Sequence, residues 1–242
     1  MIKVTLVGRG NVSSHLAHAF RLAENVELVA VLDSRKELHP KSLSTSDVCI
    51  IVVSDDAIKT VGKYFAKSQC LVVHTSGSIA LTALPKGIRR GVFYPLQTFT
   101  KNQDVDFKGI PLCIEAENKK DLGIMSTLAS TISNKVIEIN SEQRKSLHIA
   151  AIFVNNFTNH LYYIGQQLCE ENKIPFELLS PLIQETVKKI GALSPYEAQT
   201  GPARRKDAGI FESHMSHLKK EDYKKIYAVL TESIQNTYGK KL

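Results

Sequence analysis

A glycine-rich turn between an apolar strand and a helix-like stretch is the segment of this sequence that most directly predicts chemistry. The apolar run Ile2–Val7 leads into Gly8-Arg9-Gly10-Asn11-Val12-Ser13. Gly8 permits a tight turn, and Gly10 lets the backbone approach a pyrophosphate, which the positive end of the following helix attracts. Ser13 stands where a third glycine is usual, which loosens the rule for helix–strand packing without removing the anion site. The pattern predicts a dinucleotide-binding turn. The residues expected to contact the cofactor there are Gly8, Arg9, Gly10, Asn11 and Val12.

The end of the second apolar run bears on which dinucleotide would bind. Glu27–Leu32 is followed directly by Asp33, Ser34 and Arg35. An acidic residue at this place usually binds the ribose hydroxyls of NAD, whereas an arginine meets the 2′-phosphate of NADP. Arg35 and Ser34 can both donate to a phosphate, and Arg9 is a second cation within reach. The sequence therefore favours NADP as the cofactor. The alternatives are NAD selected by Asp33 and an Arg35 that is merely solvated.

Polar side chains follow two further apolar runs, where a parallel sheet would place them at its carboxyl edge. One run ends at Ser54 and Asp55, and the next ends at His74, Thr75 and Ser76. Ligands bind beyond this edge in open α/β sheets, so Ser54, Asp55 and Thr75 are predicted to contact the cofactor. His74 and Ser76 are predicted to be catalytic donors for the heteroatom whose charge changes during hydride transfer. In the alternative interpretation, His74 only caps the strand and the turn that follows.

The order of the predicted elements indicates an α/β fold with a helical extension. Apolar runs alternate with helix-like stretches up to about residue 140, which is typical of a doubly wound parallel sheet. Residues 1–140 are predicted to form a Rossmann dinucleotide-binding domain, and residues 141–242 an all-α domain for dimerisation and substrate binding. The stretch 146–172 is apolar on nearly every face of a helix, so it must be buried on every face. A tail of this size offers limited cover, and the sequence therefore predicts a homodimer.

The composition of the chain argues against several other classes of protein. The formal net charge of the 242 residues is +7, but it is spread over both halves without a basic arm, which argues against nucleic-acid binding. No stretch has the length of a membrane span, and the first strand begins without a preceding signal peptide, which predicts a cytoplasmic protein. Four cysteines stand far apart in the sequence. They are interpreted as buried thiols of a reducing compartment rather than as a metal site or a disulfide framework.

Several separated motifs occur in an order that is specific to one family. They are His74-Thr75-Ser76-Gly77, Tyr94-Pro95-Leu96-Gln97, His148 with Asn156, and Thr200-Gly201-Pro202 with Arg205, Asp207 and His214. The chain resembles a bacterial family that joins a Rossmann-like NADP-binding domain to a helical C-terminal domain of unknown function. That family is similar to pyrroline-5-carboxylate reductase and to deazaflavin-dependent NADP oxidoreductases. One departure is visible, because Tyr94 stands where the family commonly has histidine.

The C-terminal part of the chain supplies further candidate site residues. The resemblance points to His148 and Asn156 on the long helix. Arg205 could clamp a substrate carboxylate with two hydrogen bonds. Asp207 beside it is a candidate whose alternative role is to cap the next helix. One group has the helical spacing of metal ligands but lacks a further ligand, so no metal is predicted; its members are Glu212, His214 and His217.

Two functions of different classes are compatible with these residues. The first is an NADP(H)-dependent oxidoreductase that transfers a hydride to or from a small anionic carbonyl or imine substrate. The second is a non-catalytic dinucleotide-binding sensor or partner-binding protein. Related hydroxyacid dehydrogenases place a catalytic lysine one turn before such an asparagine, where this chain has Ala151 and Ile152. The absence of that lysine favours imine reduction, or the second function, over hydroxyacid oxidation.

Overall fold

The chain divides into two compact units, one built on a β-sheet and one helical. The computed structural model of the protein describes residues 1–36, 45–101 and 103–238. The units comprise Met1–Val154 and Asn155–Leu242. The sequence predicts a division after residue 140 instead, and the difference is the placement of helix α4 (Ser141–Ala151). That helix groups with the sheet because its Arg144 side chain is buried among residues of the sheet unit.

The described part of the first unit contains one seven-stranded sheet in the order β2-β1-β3-β4-β5-β6-β7. Strands β1 to β5 are mutually parallel, but β6 runs antiparallel to β5, and β7 runs parallel to β6. The predicted parallel sheet is therefore correct for five strands and reverses at the sixth. An antiparallel neighbour needs no crossover helix, and the described residues between β5 and β6 form a loop with a single 3₁₀ turn at Phe107–Gly109. The strands are Ile2–Val7 (β1), Val26–Leu32 (β2), Val48–Ile51 (β3), Leu71–His74 (β4), Arg90–Pro95 (β5), Pro111–Ala116 (β6) and Lys135–Glu138 (β7).

Helices cover both faces of this sheet, as expected of a doubly wound fold. Helices α1 (Asn11–Leu22) and α3 (Lys119–Ile132) pack on one face, where Phe20 and Leu128 join the larger core cluster. Helix α2 (Asp55–Gly62) packs on the other face through Ile58 and Val61. All four residues of β3 and of β4 are buried. Because β1 to β5 are parallel, their carboxyl ends form one rim of the sheet. The predicted cofactor residues lie on this rim.

A continuous helical segment runs from the first unit into the second, and it contains a π-helix. Helix α4 begins at a capping box made by Asn140 and Gln143, earlier than the predicted residue 146. A π-helix follows at Ile152–Phe157 and leads into α5. Helix α5 spans Thr158–Glu171. The remaining helices of the second unit are Ser180–Ala192 (α6), Pro195–Ala198 (α7), Pro202–Arg205 (α8), Ala208–His217 (α9) and Glu221–Tyr238 (α10).

Large apolar side chains of this helical part are exposed in a single chain. Val154 is 75% exposed and Leu182 64% exposed, and Phe153, Val187 and Val229 are more than half exposed. The expectation that the apolar helix is buried on every face is therefore not met within one copy. None of the helices in the described ranges is long and apolar enough to cross a membrane.

Candidate functional site

The glycine turn after β1 has the geometry of an anion-binding loop. Gly8 has a φ of +137°, and a Cβ at this position would lie 1.9 Å from the carbonyl oxygen of Val52. No other residue type fits that backbone without distortion, since L side chains rarely adopt this φ. A Cβ at Gly10 would meet nothing within 4 Å. The turn is therefore closed by a neighbouring strand on one side and open to a ligand on the other.

The N-terminus of α1 directs uncapped backbone amides at this open space. Gly10 is the N-cap residue, no side chain caps the helix, and the first turn holds no acidic residue. Free amides and the helix dipole attract an anion at such an end. Ser13, which replaces the third glycine, is fully buried and donates its hydroxyl to the carbonyl of Gly8 at 2.7 Å. Rather than loosening the packing, Ser13 ties the helix to the turn.

A loop after β5 is fastened to the exposed side of the same helix. The Asn11 side chain donates to the carbonyl of Phe99 at 3.2 Å, and Nε2 of His15 lies 2.9 Å from the carbonyl of Thr100. The rings of His15 and Phe99 are 5.1 Å apart between centroids. The Asn11 side chain thus binds protein rather than standing free for the cofactor. This loop borders the anion-binding turn.

At the end of β2, Arg35 binds the carboxylate of Asp33 with two guanidinium nitrogens. Nε and Nη2 lie 3.0 Å from Oδ1 and Oδ2, and the Arg35 amide also donates to Oδ1 at 3.0 Å. These hydrogen bonds, with a smaller attraction from Arg9, hold the pKa of Asp33 at about 2. The Arg35 side chain is nevertheless 82% exposed. Two cations therefore stand at this end of the rim beside a carboxylate whose charge is already compensated. Ser34, which lies between Asp33 and Arg35 in the sequence, is half-buried.

The ends of β3 and β4 contribute different kinds of side chain to the rim. Ser54 is the exposed N-cap residue of α2, although its side chain makes no capping hydrogen bond, and Asp55 is exposed beside it. Thr75, which follows β4, is half-buried. These three predicted cofactor residues accordingly stay near solvent on one edge of the sheet.

His74 and Ser76 are buried, and Nδ1 of His74 and the Ser76 hydroxyl serve the turn after β4, whereas Nε2 of His74 makes no hydrogen bond within the described residues. The Ser76 amide donates to Nδ1 of His74 at 3.2 Å, and the Ser76 hydroxyl accepts from the amides of Ser78 and Ile79 at 3.1 and 3.0 Å. Burial, reinforced by the positive charge of Arg144, lowers the pKa of His74 to about 4. The imidazole is therefore neutral at pH 7. The Nδ1 contact agrees with the structural alternative for His74, in which it caps the strand end and the turn, while Nε2 is left available to a ligand.

Tyr94 and His148 form a pair that the sequence did not link. The Tyr94 hydroxyl, on β5, lies 3.1 Å from Nδ1 of His148 on α4. Burial raises the pKa of Tyr94 to about 12, and the carboxylate of Asp55 adds a smaller contribution. The phenol is thus protonated at neutral pH and lies within electrostatic range of the rim. His148 is half-buried, so its ring also reaches the surface of this unit.

Gly77 is the residue that allows this pair to form. A Cβ at Gly77 would lie 2.6 Å from Nδ1 of His148 and 2.9 Å from Cζ of Tyr94. The turn after β4 therefore packs its bare backbone against both rings. The rings themselves meet edge to face with centroids 6.0 Å apart.

A buried arginine connects that turn to α4 and β6. Nε of Arg144 donates to the carbonyl of Ser76 at 3.1 Å, and Nη2 donates to the carbonyl of Ile79 at 2.6 Å. Nη1 pairs with the carboxylate of Glu115, which also accepts from the Ser141 hydroxyl. Sequence reasoning missed Arg144 and Glu115, because a charged residue in a helix usually indicates a solvated face. No spacing signal links positions so far apart in the chain.

The candidates of the second unit are exposed, except for Asp207, which is half-buried. Asn156 lies in the π-helix, which alters the helical register after His148. The Arg205 side chain is 62% exposed, and its Nε and Nη2 bind Oδ2 of Asp207 at 3.1 and 3.0 Å. Asp207 is the N-cap residue of α9, but its carboxylate makes no capping hydrogen bond. Nδ1 of His214 lies 2.8 Å from the hydroxyl of Tyr227. Across the described residues, no group of three or more His, Cys, Asp or Glu side chains could hold a metal.

A family model and a close structural relative identify the group to which these features belong. The model of a domain of unknown function, DUF2520, matches residues 110–234. The chain belongs to the DUF2520 family. A Bacteroides fragilis protein that carries the description "putative NADP oxidoreductase" is 34% identical to this DUF2520 protein, with a TM-score of 0.87. That match covers 97% of this chain and 98% of the other.

More distant crystal structures share the fold of the DUF2520 protein over nearly its whole length. A Thermotoga maritima protein is 20% identical with a TM-score of 0.72, and the match covers 98% of each chain. A Plasmodium falciparum pyrroline carboxylate reductase with NADP bound is 14% identical with a TM-score of 0.55, over 98% of this chain and 97% of that one. No curated protein matches the sequence significantly. The predicted Rossmann-like α/β fold with a helical C-terminal region is therefore confirmed.

Proposed function

We propose that this DUF2520 protein is an NADP(H)-dependent oxidoreductase that acts on a small anionic carbonyl or imine substrate. The observation that carries the proposal is a pair of neighbouring features. The uncapped N-terminus of α1 lies behind the open side of Gly10, and the exposed guanidinium of Arg35 lies at the end of the neighbouring strand. A pyrophosphate fits the first feature, and a 2′-phosphate fits the second. The description of the Bacteroides fragilis relative supports the same class of activity.

The charges at the end of β2 favour NADP over NAD. In an NAD site the acidic residue accepts hydrogen bonds from the ribose hydroxyls. Here both carboxylate oxygens of Asp33 are bound by Arg35. A phosphate therefore meets a compensated carboxylate and two cations, Arg9 and Arg35, rather than an unpaired negative charge.

Substitution of Arg35 by serine is expected to weaken NADPH binding by about ten- to a hundredfold, because a charge-assisted hydrogen bond contributes roughly 1.5–3 kcal/mol. NADH binding is expected not to weaken and to rise if anything, since NADH has no 2′-phosphate and the substitution frees the Asp33 carboxylate for the ribose hydroxyls. Calorimetric titration of the purified protein with each cofactor measures both. Arg21→Ser, which removes an exposed arginine at the far end of α1, is the matched control and should leave both affinities unchanged. A wild-type preference for NADH would contradict the NADP assignment, and binding of neither cofactor would contradict the proposed function.

Tyr94 and His148 are the groups proposed to handle the proton of the reaction. Bound NADPH supplies the hydride. The Tyr94 hydroxyl donates its proton to the oxygen or nitrogen of the reacting double bond, and Nδ1 of His148, 3.1 Å away, returns a proton to the phenolate oxygen. The half-buried ring of His148 exchanges that proton with solvent. This arrangement makes Tyr94 the proton donor, a role predicted from the sequence for His74.

The remaining predicted catalytic residues have more limited proposed roles. His74 and Ser76 hold the turn that carries Gly77, so we propose that they position the Tyr94–His148 pair rather than touch substrate. Asn156 and Arg205 are proposed to bind the substrate, and for Arg205 this requires its guanidinium to exchange Asp207 for a substrate carboxylate. Turnover measurements on Arg205 variants with retained NADPH affinity distinguish this role from a structural one.

The protein is further proposed to be a homodimer through its helical part. Large apolar side chains that are exposed to solvent mark an interaction site, and the π-helix and α6 each expose several of them. Light scattering is expected to give twice the mass of one chain, and Val154→Glu is expected to give the mass of a single chain. Leu22→Glu, at an equally exposed apolar position on α1, is the control and should remain dimeric. A monomeric wild-type protein would contradict this part of the proposal.

A further inference from the structure

Two cysteines that are distant in the sequence have their sulfur atoms in contact. Cys49 lies in β3, and Cys70 immediately precedes β4; the pairing of Val48 with Leu71 brings them together. The two Sγ atoms are 3.2 Å apart. Cys49 is fully buried and Cys70 is 6% exposed. Both are free, buried thiols, as the sequence predicts, but the parallel strands make neighbours of two residues that a whole helix separates in the chain.

The surroundings of Cys70 stabilise a thiolate. The Ser68 hydroxyl lies 2.9 Å from the Cys70 sulfur. The guanidinium of Arg89 donates to the carbonyl of Gln69 at 3.3 Å and also pairs with the carboxylate of Asp121, so the positive charge beside Cys70 is partly compensated. The hydrogen bond with Cys49, then the one with Ser68, together with the charge of Arg89, lowers the pKa of Cys70 below its ordinary value. The same contact with Cys70, together with burial, raises the pKa of Cys49.

This asymmetry assigns different chemical roles to the two sulfurs. A thiolate is the nucleophile towards oxidants, and a neighbouring thiol can resolve the product. Cys70 is the attacking sulfur. It directly follows the segment 66–69, in which Ser68 is half-buried and the other three residues are exposed. Cys49, beneath it, is the resolving sulfur. Cys113 provides a contrast, since burial raises its pKa and keeps it a thiol.

We propose that Cys49 and Cys70 form a reversible intramolecular disulfide when the protein meets hydrogen peroxide. The Cys70 thiolate attacks one peroxide oxygen and the O–O bond breaks, which gives a sulfenic acid and, after protonation, one water. The Cys49 sulfur then attacks the Cys70 sulfur, loses its proton and releases the sulfenic oxygen as a second water. Two thiols and one peroxide thus give one disulfide and two waters. A dithiol reverses the modification by donating two electrons and two protons to the disulfide, which regenerates the two thiols while the dithiol is itself oxidised to a disulfide.

The disulfide would close a loop that contains the cofactor rim. Helix α2 and its N-terminal residues Ser54 and Asp55 lie between the two cysteines in the chain. Linking Cys49 to Cys70 therefore fastens β3 to the start of β4 across the segment that carries these residues. The bond requires the sulfurs to approach from contact to about 2.05 Å, a movement that side-chain rotation and small strand shifts can supply.

Mass spectrometry of the full-length native protein after limited peroxide treatment tests the proposal. The expected product is lighter by two hydrogen atoms, yields a linked peptide pair containing Cys49 and Cys70, and returns to the starting mass with dithiothreitol. Cys113→Ser should behave like the wild type. In Cys49→Ser, Cys70 should instead accumulate as a sulfenic acid that dimedone traps.

Three outcomes would overturn the proposal. They are an unchanged mass, a linked pair that includes Cys113 or Cys169, and direct oxidation of wild-type Cys70 to a sulfinic acid without linkage. The wild-type peptide map decides the matter even where Cys49→Ser fails to fold. None of these outcomes depends on whether the protein binds NADPH.

Discussion

Replacement of Tyr94 by phenylalanine is expected to lower kcat by about two to three orders of magnitude, which is typical for loss of a general acid. The substitution removes the hydroxyl that lies 3.1 Å from Nδ1 of His148 and leaves the buried ring in its packing site. Without this proton donor, negative charge develops on the substrate heteroatom with no proton to neutralise it. NADPH affinity is expected to stay the same, because the anion-binding turn and Arg35 are unaltered.

Steady-state oxidation of NADPH measures the effect, with pyrroline-5-carboxylate as the imine probe and glyoxylate as the carbonyl probe. Tyr64→Phe removes the hydroxyl of an exposed tyrosine beyond α2 and should retain wild-type kcat. A Tyr94→Phe protein with wild-type turnover would remove Tyr94 from the mechanism. If the wild-type protein binds NADPH tightly but reduces neither probe, the proposed reaction is contradicted and a non-catalytic dinucleotide-binding protein is supported.

Replacement of Arg144 by methionine is expected to destabilise the sheet unit by about 3–5 kcal/mol, as removal of one partner of a buried ion pair usually does. The Arg144 side chain is only 1% exposed. Methionine preserves the aliphatic stem but leaves Glu115 and the carbonyls of Ser76 and Ile79 without a cationic donor. Because those carbonyls belong to the turn that carries Gly77, the contact between Tyr94 and His148 is expected to weaken as well.

Urea unfolding followed by circular dichroism measures the change in free energy. Arg205→Met breaks an exposed ion pair and should cost less than about 1 kcal/mol, so it serves as the control. Adding Glu115→Met to Arg144→Met should restore part of the stability, since two apolar side chains no longer leave a buried carboxylate unpaired. Equal stability of the Arg144 and Arg205 variants would show that the buried arginine contributes no more than a surface one.

Local patterns in the sequence predicted the parts of this molecule that local geometry determines. The turn at Gly8 follows from backbone conformation within a few residues, so the tight turn after β1 and the helix that follows it could be predicted. The reversal of the sheet at β6 could not, because strand direction there depends on the length and path of the loop after Pro95. The π-helix at Ile152–Phe157 likewise has no signature in the apolar periodicity, which is continuous across it.

The candidate site was predicted as a set of residues but not as an arrangement. His148 was identified by resemblance and Tyr94 only as a departure, and their contact arises from the packing of α4 against β5. The burial of Arg144 and the sulfur contact of Cys49 with Cys70 are likewise consequences of tertiary structure. A single sequence contains no coupling information from which such pairs could be inferred.

The fastening of the loop after β5 to α1 has a kinetic consequence. Asn11 and His15, in the first turns of α1, hold the carbonyls of Phe99 and Thr100, a few residues beyond Tyr94. Helix α1, which is proposed to bind the pyrophosphate, and the loop that follows the proton donor Tyr94 are therefore held together by these hydrogen bonds. A dinucleotide seated on α1 would stiffen that segment before any substrate arrives. Such coupling favours a compulsory order of addition, in which the nucleotide enters first and departs last.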